Sequence, residues 1–259
     1  MRLMTSFLRM FSVWGFYLCA EVVAFTNPMP RIVSLDLCSD WLLAHHAPDS
    51  QSIVFSPMVR RYPLPVGAVQ RMSHDGSLEQ VLALKPDVVL VGEFNAFMLR
   101  KRLASLGVRV VITPLPQTLV DLESLDHVVQ TVLEKSNAPN GISVSHTKLK
   151  QPHGRLLLIG PNGEGMGRKT FEDNLITRAG WVNYVESIGR VKLDLEAIAV
   201  NPPDALVLSV PRHAALANLF VQHPVLKHAI PPERWIQTDY WRWQCPGPWM
   251  HELIQQLQP

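Results

Sequence analysis

The strongest constraint on this chain is a repeat. Leu78-Glu79-Gln80-Val81-Leu82-Ala83-Leu84-Lys85-Pro86-Asp87-Val88-Val89-Leu90-Val91 returns as Leu195-Glu196-Ala197-Ile198-Ala199-Val200-Asn201-Pro202-Pro203-Asp204-Ala205-Leu206-Val207-Leu208. Each copy reads as a short helix with a carboxylate in its first turn, a Pro-Asp corner that stops it, and a buried strand. One Pro-Asp corner is commonplace. Two, each with a glutamate seven residues before the proline, point to internal duplication. A chain carrying this unit once in each half is expected to hold two similar α/β lobes.

The rest of the chain fits that expectation. Arg31-Ile32-Val33-Ser34-Leu35 is a β-branched strand, and Asp36-Leu37-Cys38-Ser39-Asp40 turns into an apolar helix, Trp41 to His46. Ile53-Val54-Phe55 and Pro65-Val66-Gly67 are shorter strand candidates, and His74-Asp75-Gly76 is a turn with Ser77 as N-cap. After the first repeat come a helix from Ala96 to Leu106 and a strand from Val108 to Thr113. Leu119 to Glu134 has helical spacing and forms a connector, broken at Asn137 to Gly141. Arg155 to Ile159 opens the second half as a strand. A helix from Phe171 to Ala179, the second repeat, a helical stretch from His213 to Gln222, a strand at Arg234 to Gln237 and a helix from Trp249 to Leu257 complete it. Alternating strands and helices imply largely parallel sheets, with ligands bound beyond the carboxyl ends of the strands.

Composition supports this and excludes some partners. With 259 residues, 47% hydrophobic and 18% charged, the chain can bury the cores of one large or two ordinary domains. A net charge of +2 with scattered basic residues gives no nucleic-acid footprint. Met1 to Met10 carries Arg2 and Arg9 and no acid, and Phe11 to Ala20 is apolar but too short for a comfortable membrane span. Residues 1–24 therefore read as a secretory signal cleaved after Ala24, with Ala20 the alternative. Leu18 before Cys19 disfavours a lipid anchor. The mature chain is placed in the periplasm with Cys38 and Cys245, an even pair in an oxidising compartment.

Three tempting motifs fail. Gly160-Pro161-Asn162-Gly163-Glu164-Gly165-Met166-Gly167 lacks both the Gly-Lys-Ser/Thr ending and the GxGxxG register of a phosphate cradle, and reads as a flexible loop near a pocket. Ser34 or Ser209 with His74 could be offered as a hydrolase nucleophile and base, yet neither serine lies in Gly-x-Ser-x-Gly. The ten histidines show no His-x-His or His-Glu-x-x-His spacing.

The signal, the Arg-Ile-Val-Ser-Leu opening, the Leu-Glu-x-Val-Leu-Ala-Leu-Lys-Pro-Asp unit, the connector and the second copy resemble the substrate-binding proteins of ABC importers for vitamin B12, heme and iron-siderophore chelates. The resemblance covers Arg31 to Gln258, and His223-Pro224-Val225-Leu226 before the last strand and helix fits it too. It implies two three-layer α/β lobes joined by a connector helix, with ligand held in the cleft between them. The expected organisation is a signal at 1–24, an N-terminal lobe at 25–117, a connector region at 118–152 and a C-terminal lobe at 153–259. No enzymatic activity and no cofactor are expected, and a monomer is.

The resemblance also assigns residues. Glu79 and Glu196 occupy the positions of the two acidic residues that meet arginines of the membrane permease. The residues alone would allow each glutamate simply to complement its helix dipole. The cleft is expected to be lined by Asp36, Cys38, His74, Glu93, Phe94 and Asn95 from one lobe, and by Met166, Arg212, Tyr240, Trp241, Arg242 and Trp243 from the other. Rings and guanidinium groups suit a large, flat, partly anionic chelate. Alternate residues of Tyr240 to Trp243 are expected to face opposite ways, so at least one of Trp241 and Trp243 is expected in the core. Leu37-Cys38-Ser39-Asp40 and Trp243 to Pro248 resemble a subgroup with one cysteine in each of these loops. Cys38 and Cys245 either form a disulfide tying the lobes or stay free as a soft-metal site. Bare-metal binding and a periplasmic hydrolase are the competing functions.

Overall fold

The two repeats fold alike, and the structure shows what their Pro-Asp corners do. The computed structural model describes residues 29–62, 72–133, 152–210 and 219–258. In the first copy, Asp87 accepts the backbone N–H of Arg31 at 2.6 Å, and the Arg31 guanidinium donates to the Leu84 carbonyl at 2.8 Å. In the second, Asp204 accepts the N–H of Arg155 at 2.7 Å, and Arg155 donates to the Pro202 carbonyl at 2.8 Å. Each corner thus ties the end of a helix to the start of the strand next to it in the sheet. The Arg–Asp pairing belongs to the repeat as much as the Pro does.

The N-terminal lobe runs β1 (Ile32–Ser34), α1 (Leu37–His46), β2 (Ile53–Val54), α2 (Leu78–Ala83), β3 (Val88–Gly92), α3 (Phe97–Ser105) and β4 (Val110–Thr113). Its strands are all parallel, in the order β2-β1-β3-β4. Because successive residues of a strand point to opposite faces, Ile32, Val88 and Leu90 pack with α1, while Val33, Val89 and Val91 pack with Val81 of α2 and Leu103 of α3. Helices therefore cover both faces. Local chemistry starts them: Asp36 caps α1 by accepting from the N–H groups of Cys38 and Ser39, and Ser77 caps α2.

α4 (Asp121–Val132) follows, burying Leu122, Leu125, Val129 and Val132 along one face as its periodicity predicts. The break expected at Asn137 to Gly141 lies outside the described residues. So do the signal segment, the strand candidate at Pro65 to Gly67, and residues 213–218 of the helix expected from His213. Among the described residues no helix is long and apolar enough to cross a membrane.

The C-terminal lobe runs β5 (Arg155–Ile159), β6 (Glu164–Met166), α5 (Phe171–Arg178), β7 (Val182–Asn183), β8 (Arg190–Lys192), α6 (Leu195–Val200), β9 (Ala205–Leu208), α7 (Leu219–Gln222), α8 (Pro224–Ala229), β10 (Trp235–Ile236) and α9 (Met250–Leu257). Its sheet has the order β10-β9-β5-β6-β8, with β7 also paired to β5. Strands β10, β9, β5 and β7 are parallel, whereas β6 runs antiparallel to β5 and β8. Leu157, Ile159, Leu206 and Leu208 face α6 and α8, and Leu156, Leu158, Ala205 and Val207 face α5 and α9.

One expectation is corrected here. The glycine-rich stretch from Gly160 to Gly167 is no plain loop: it makes a tight turn and then β6. Its glycines are there for closeness. A Cβ on Gly165 would stand 2.6 Å from Leu193, and one on Gly167 would stand 2.0 Å from the Ser187 carbonyl oxygen.

The lobes share one continuous core. The cluster holding Trp41, Leu122, Leu125 and Val129 also contains Leu156, Leu175, Trp249 and Leu253. Trp41 of α1 meets Trp241 and Trp249 edge-on, with ring centroids 5.3 and 5.5 Å apart. His46 of α1 reaches Asp126 of α4 at 2.5 Å. Across the same junction Cys38 and Cys245 form a disulfide, their Cα atoms 5.1 Å apart.

Candidate functional site

A cavity of about 430 Å³ opens between the connector entry and the C-terminal lobe. Leu115, Pro116 and Gln117, just beyond β4, form one side. The other is built from three separated segments: Lys169 to Glu172 at the start of α5, Gly189 and Arg190 at β8, and Arg242 to Gln244 in the 3-10 turn Tyr240–Gln244. Met250 and Pro246 close the base. The volume falls within the usual range for small-molecule sites. Its location beyond the carboxyl end of β4 is where an α/β lobe presents ligands.

Local chemistry sets each wall. Thr170 caps α5 by accepting from the Asp173 N–H, and Lys169, in the left-handed region at φ 63°, turns the chain into that cap. Arg242 is held on two sides, donating to Asp239 at 3.1 Å and to Glu252 of α9, with its guanidinium 4.4 Å over the Trp241 ring. The Asp239 carboxyl is held below its ordinary range by the hydrogen bond from Gln256 and by Arg242. Arg190 stands 4.0 Å from Glu172, an open pair with the arginine side chain 66% exposed. Trp243 donates its indole N–H to Thr238 at 2.9 Å, which fixes the ring as part of the wall.

The structure sorts the sequence-predicted residues into three groups. Arg242 and Trp243 line the cavity. Glu93, Phe94 and Asn95 are exposed just after β3 and outside the cavity lining; the Glu93 carboxylate accepts from the N–H of Leu115, a lining residue, at 3.4 Å. The third group is occupied within the protein. Asp36 accepts from Cys38, Ser39 and Gly92, so its carboxylate is an N-cap and a lobe brace. His74 is buried, with Nδ1 accepting from the Gly76 N–H at 2.9 Å, which leaves Nε2 to donate to the Ser34 carbonyl at 2.7 Å. Met166 is buried on β6, and Cys38 is in the disulfide. The segment is a 3-10 turn, so the expected alternation is not followed: Trp241 packs on Trp41, Trp241 and Trp243 both lie half-buried against the core, and half-buried Tyr240 starts the turn. Arg212 lies outside the described residues.

Sequence reasoning missed Lys169, Phe171 and Arg190. Lys169 and Phe171 follow directly on the glycine-rich stretch and had a signal; Arg190 is brought in only by the antiparallel β8.

Several groups that could be offered for a hydrolase or a metal site have partners within the fold. The Ser34 hydroxyl donates to the Asp36 carbonyl and the Ser209 hydroxyl to that of Ile159. Among the described residues no group of three or more His, Cys, Asp or Glu is placed to hold a metal ion. His46 is paired with Asp126, and His223 caps α8.

No protein-family model matches the sequence, and no curated protein matches it. Solved structures do match. A periplasmic heme-binding protein from Pseudomonas aeruginosa superposes with a TM-score of 0.61 at 23% identity, over 88% of this chain and 91% of that one. The fold is that of the two-lobed periplasmic binding proteins. The periplasmic heme-binding protein RhuT from Roseiflexus sp. RS-1 shares this binding-protein fold with a TM-score of 0.60 at 17% identity, over 88% and 98% of the two chains. CeuE of Helicobacter pylori, solved with Ni(II) bound, gives 0.61 at 12% identity, over 89% and 83%.

Proposed function

We propose that this chain is the periplasmic substrate-binding component of an ABC importer. It would capture a metal chelate such as cobalamin, heme or a ferric siderophore between its lobes and deliver it to a membrane permease, acting as a monomer and without enzymatic chemistry. The observation that carries the reading is the cavity, where Phe171 and Trp243 stand beside Lys169, Arg190 and Arg242. Rings stack on a planar chelate while guanidinium groups take its oxygens. The shared fold supports a binding role in kind, and the lobe junction, closed by a disulfide and three tryptophans, suits a clamp with little hinge motion.

The delivery step rests on Glu79 and Glu196. Both are exposed in the first turn of their helices, α2 and α6, which cover the sheet faces turned away from the shared core. Two equivalent carboxylates on the two outer layers would give a permease a two-point electrostatic dock.

The test is tryptophan fluorescence of the mature chain, titrated with cyanocobalamin, hemin and a panel of ferric siderophores. Because Trp243 forms the cavity wall, a bound chelate should quench its emission saturably, at micromolar affinity or tighter. Silence across the panel would overturn the chelate reading. Soft-metal capture by free thiolates is disfavoured because Cys38 and Cys245 are bonded to each other.

A further inference from the structure

We infer that the first two turns of α3 form a lipid-facing patch that rests this protein on an anionic bilayer surface. The inference goes beyond the cargo reading and does not need it. Phe97 and Met98 open the helix and are 60% and 77% exposed, and Lys101 and Arg102, one turn further on, are exposed too. Residues four apart share a helix face, so Phe97 lines up with Lys101 and Met98 with Arg102 on the outward side. Single exposed apolar side chains are ordinary on any protein surface. Two of them beside two cations on one helix face make the pattern of an interfacial anchor.

The fold holds this patch in place. Leu103 is fully buried among Val33, Val89 and Val91, which pins α3 to its sheet. Arg100 donates to the carbonyls of Gly92 at 3.1 Å and Glu93 at 2.7 Å, and its guanidinium lies over the Phe97 ring at 5.3 Å. That cation serves the fold and fixes the exposed ring. Lys101 and Arg102, by contrast, have no ion-pair partner among the described residues. The first turn of α3 holds no acid either, although the helix dipole would favour one there.

Charge decides what covers the patch. α2 leads into β3 and α3 leads out of it on the same face of the sheet, so the first turns that hold Glu79 and Phe97 lie at the same end of the lobe. Permease cations of the kind proposed to meet Glu79 would repel Lys101 and Arg102. The bilayer around a permease has the opposite sign and an apolar interior. Its phosphate oxygens would take the two cations while the ring and the thioether enter the acyl boundary. A second copy fits less well, because a two-fold contact would bring four unpaired cations into one interface.

The test is flotation of the disulfide-intact, cargo-free mature chain with vesicles of phosphatidylglycerol and phosphatidylcholine, against vesicles of phosphatidylcholine alone. Binding should be confined to the anionic vesicles and fall as salt is raised. Each cation near an anionic leaflet is worth about fivefold, so Lys101→Ala with Arg102→Ala should weaken binding about thirtyfold. Phe97→Ser with Met98→Ser should weaken it about tenfold. All four side chains are exposed, so both variants should keep the parent urea midpoint and the parent response in the fluorescence titration. Equal binding to both kinds of vesicle, or anionic binding unchanged in either variant, overturns the inference. Absence of vesicle binding overturns it too. Self-association lost in the Phe97→Ser, Met98→Ser variant would then assign the patch to a second copy, and loss of uptake in cells would assign it to the permease. None of these outcomes alters the cargo titration, so the chelate reading stands or falls separately.

Discussion

Asp40 shows how one buried group can set a pH response. It is fully buried in α1 and accepts from the Ser56 N–H at 2.8 Å and the Ser56 hydroxyl at 2.6 Å. Burial outweighs those bonds and, helped by the nearby Asp36, pushes its carboxyl up to about 7. The folded chain therefore holds a proton there that the unfolded chain releases near the ordinary carboxylate range. The resulting stabilisation is fully present below the unfolded value and is lost as pH rises through about 7. Its full size is about 4 kcal/mol by linkage. Asp40→Asn keeps both Ser56 partners without ionising. Its unfolding free energy in urea should fall less between pH 4.5 and 7.5 than that of the parent chain, and parallel pH profiles would refute the assignment. Nothing in the local sequence singled out Asp40, because its raised pKa comes from burial, which depends on how the rest of the lobe packs around α1.

At the scale of elements, legibility followed how local each cause was. The repeat was readable because helix, corner and strand are consecutive. The Arg–Asp ties at Arg31 and Arg155 were not, since each joins a strand start to a corner on another strand. The stretch from Gly160 to Gly167 was misread for the same reason: its glycines answer to neighbours at Ser187, Gly189 and Leu193. Gly167 donates to the Gly189 carbonyl at 2.9 Å, and its added Cβ would meet backbone oxygen, which cannot swing aside as a side chain does. Gly167→Ala should therefore cost about 1–3 kcal/mol, as overpacking does. A urea midpoint unchanged from the parent would show that the β6–β8 ribbon yields at no cost.

The whole molecule is a pair of lobes locked at one junction. The disulfide closes a loop with a sequence separation of 207, so in the entropic model its loss costs about 5 kcal/mol. Cys38→Ser with Cys245→Ser should lower the urea midpoint accordingly. It should also weaken any bound chelate, because Arg242, Trp243 and Gln244 immediately precede Cys245. An unchanged midpoint would mean that the tryptophan contacts alone hold the lobes. Delivery is tested at the same scale: Glu79→Ala with Glu196→Ala should impair chelate uptake in cells and leave affinity intact. A large loss of affinity in that variant would remove the docking role.

The sequence by itself determined the two α/β lobes, their repeated helix-corner-strand unit, the mainly parallel character of the sheets and the aromatic and arginine residues of the last turn. These follow from patterns within a few residues, where periodicity, capping and proline act. Only the tertiary structure decided that Cys38 and Cys245 are bonded, that Trp241 packs on Trp41 while Trp243 lines the cavity, and that Asp36 and His74 serve the fold. It alone brought Lys169 and Arg190 to Arg242. Those outcomes depend on which distant groups arrive at hydrogen-bonding distance, and packing of both lobes against one core fixes that.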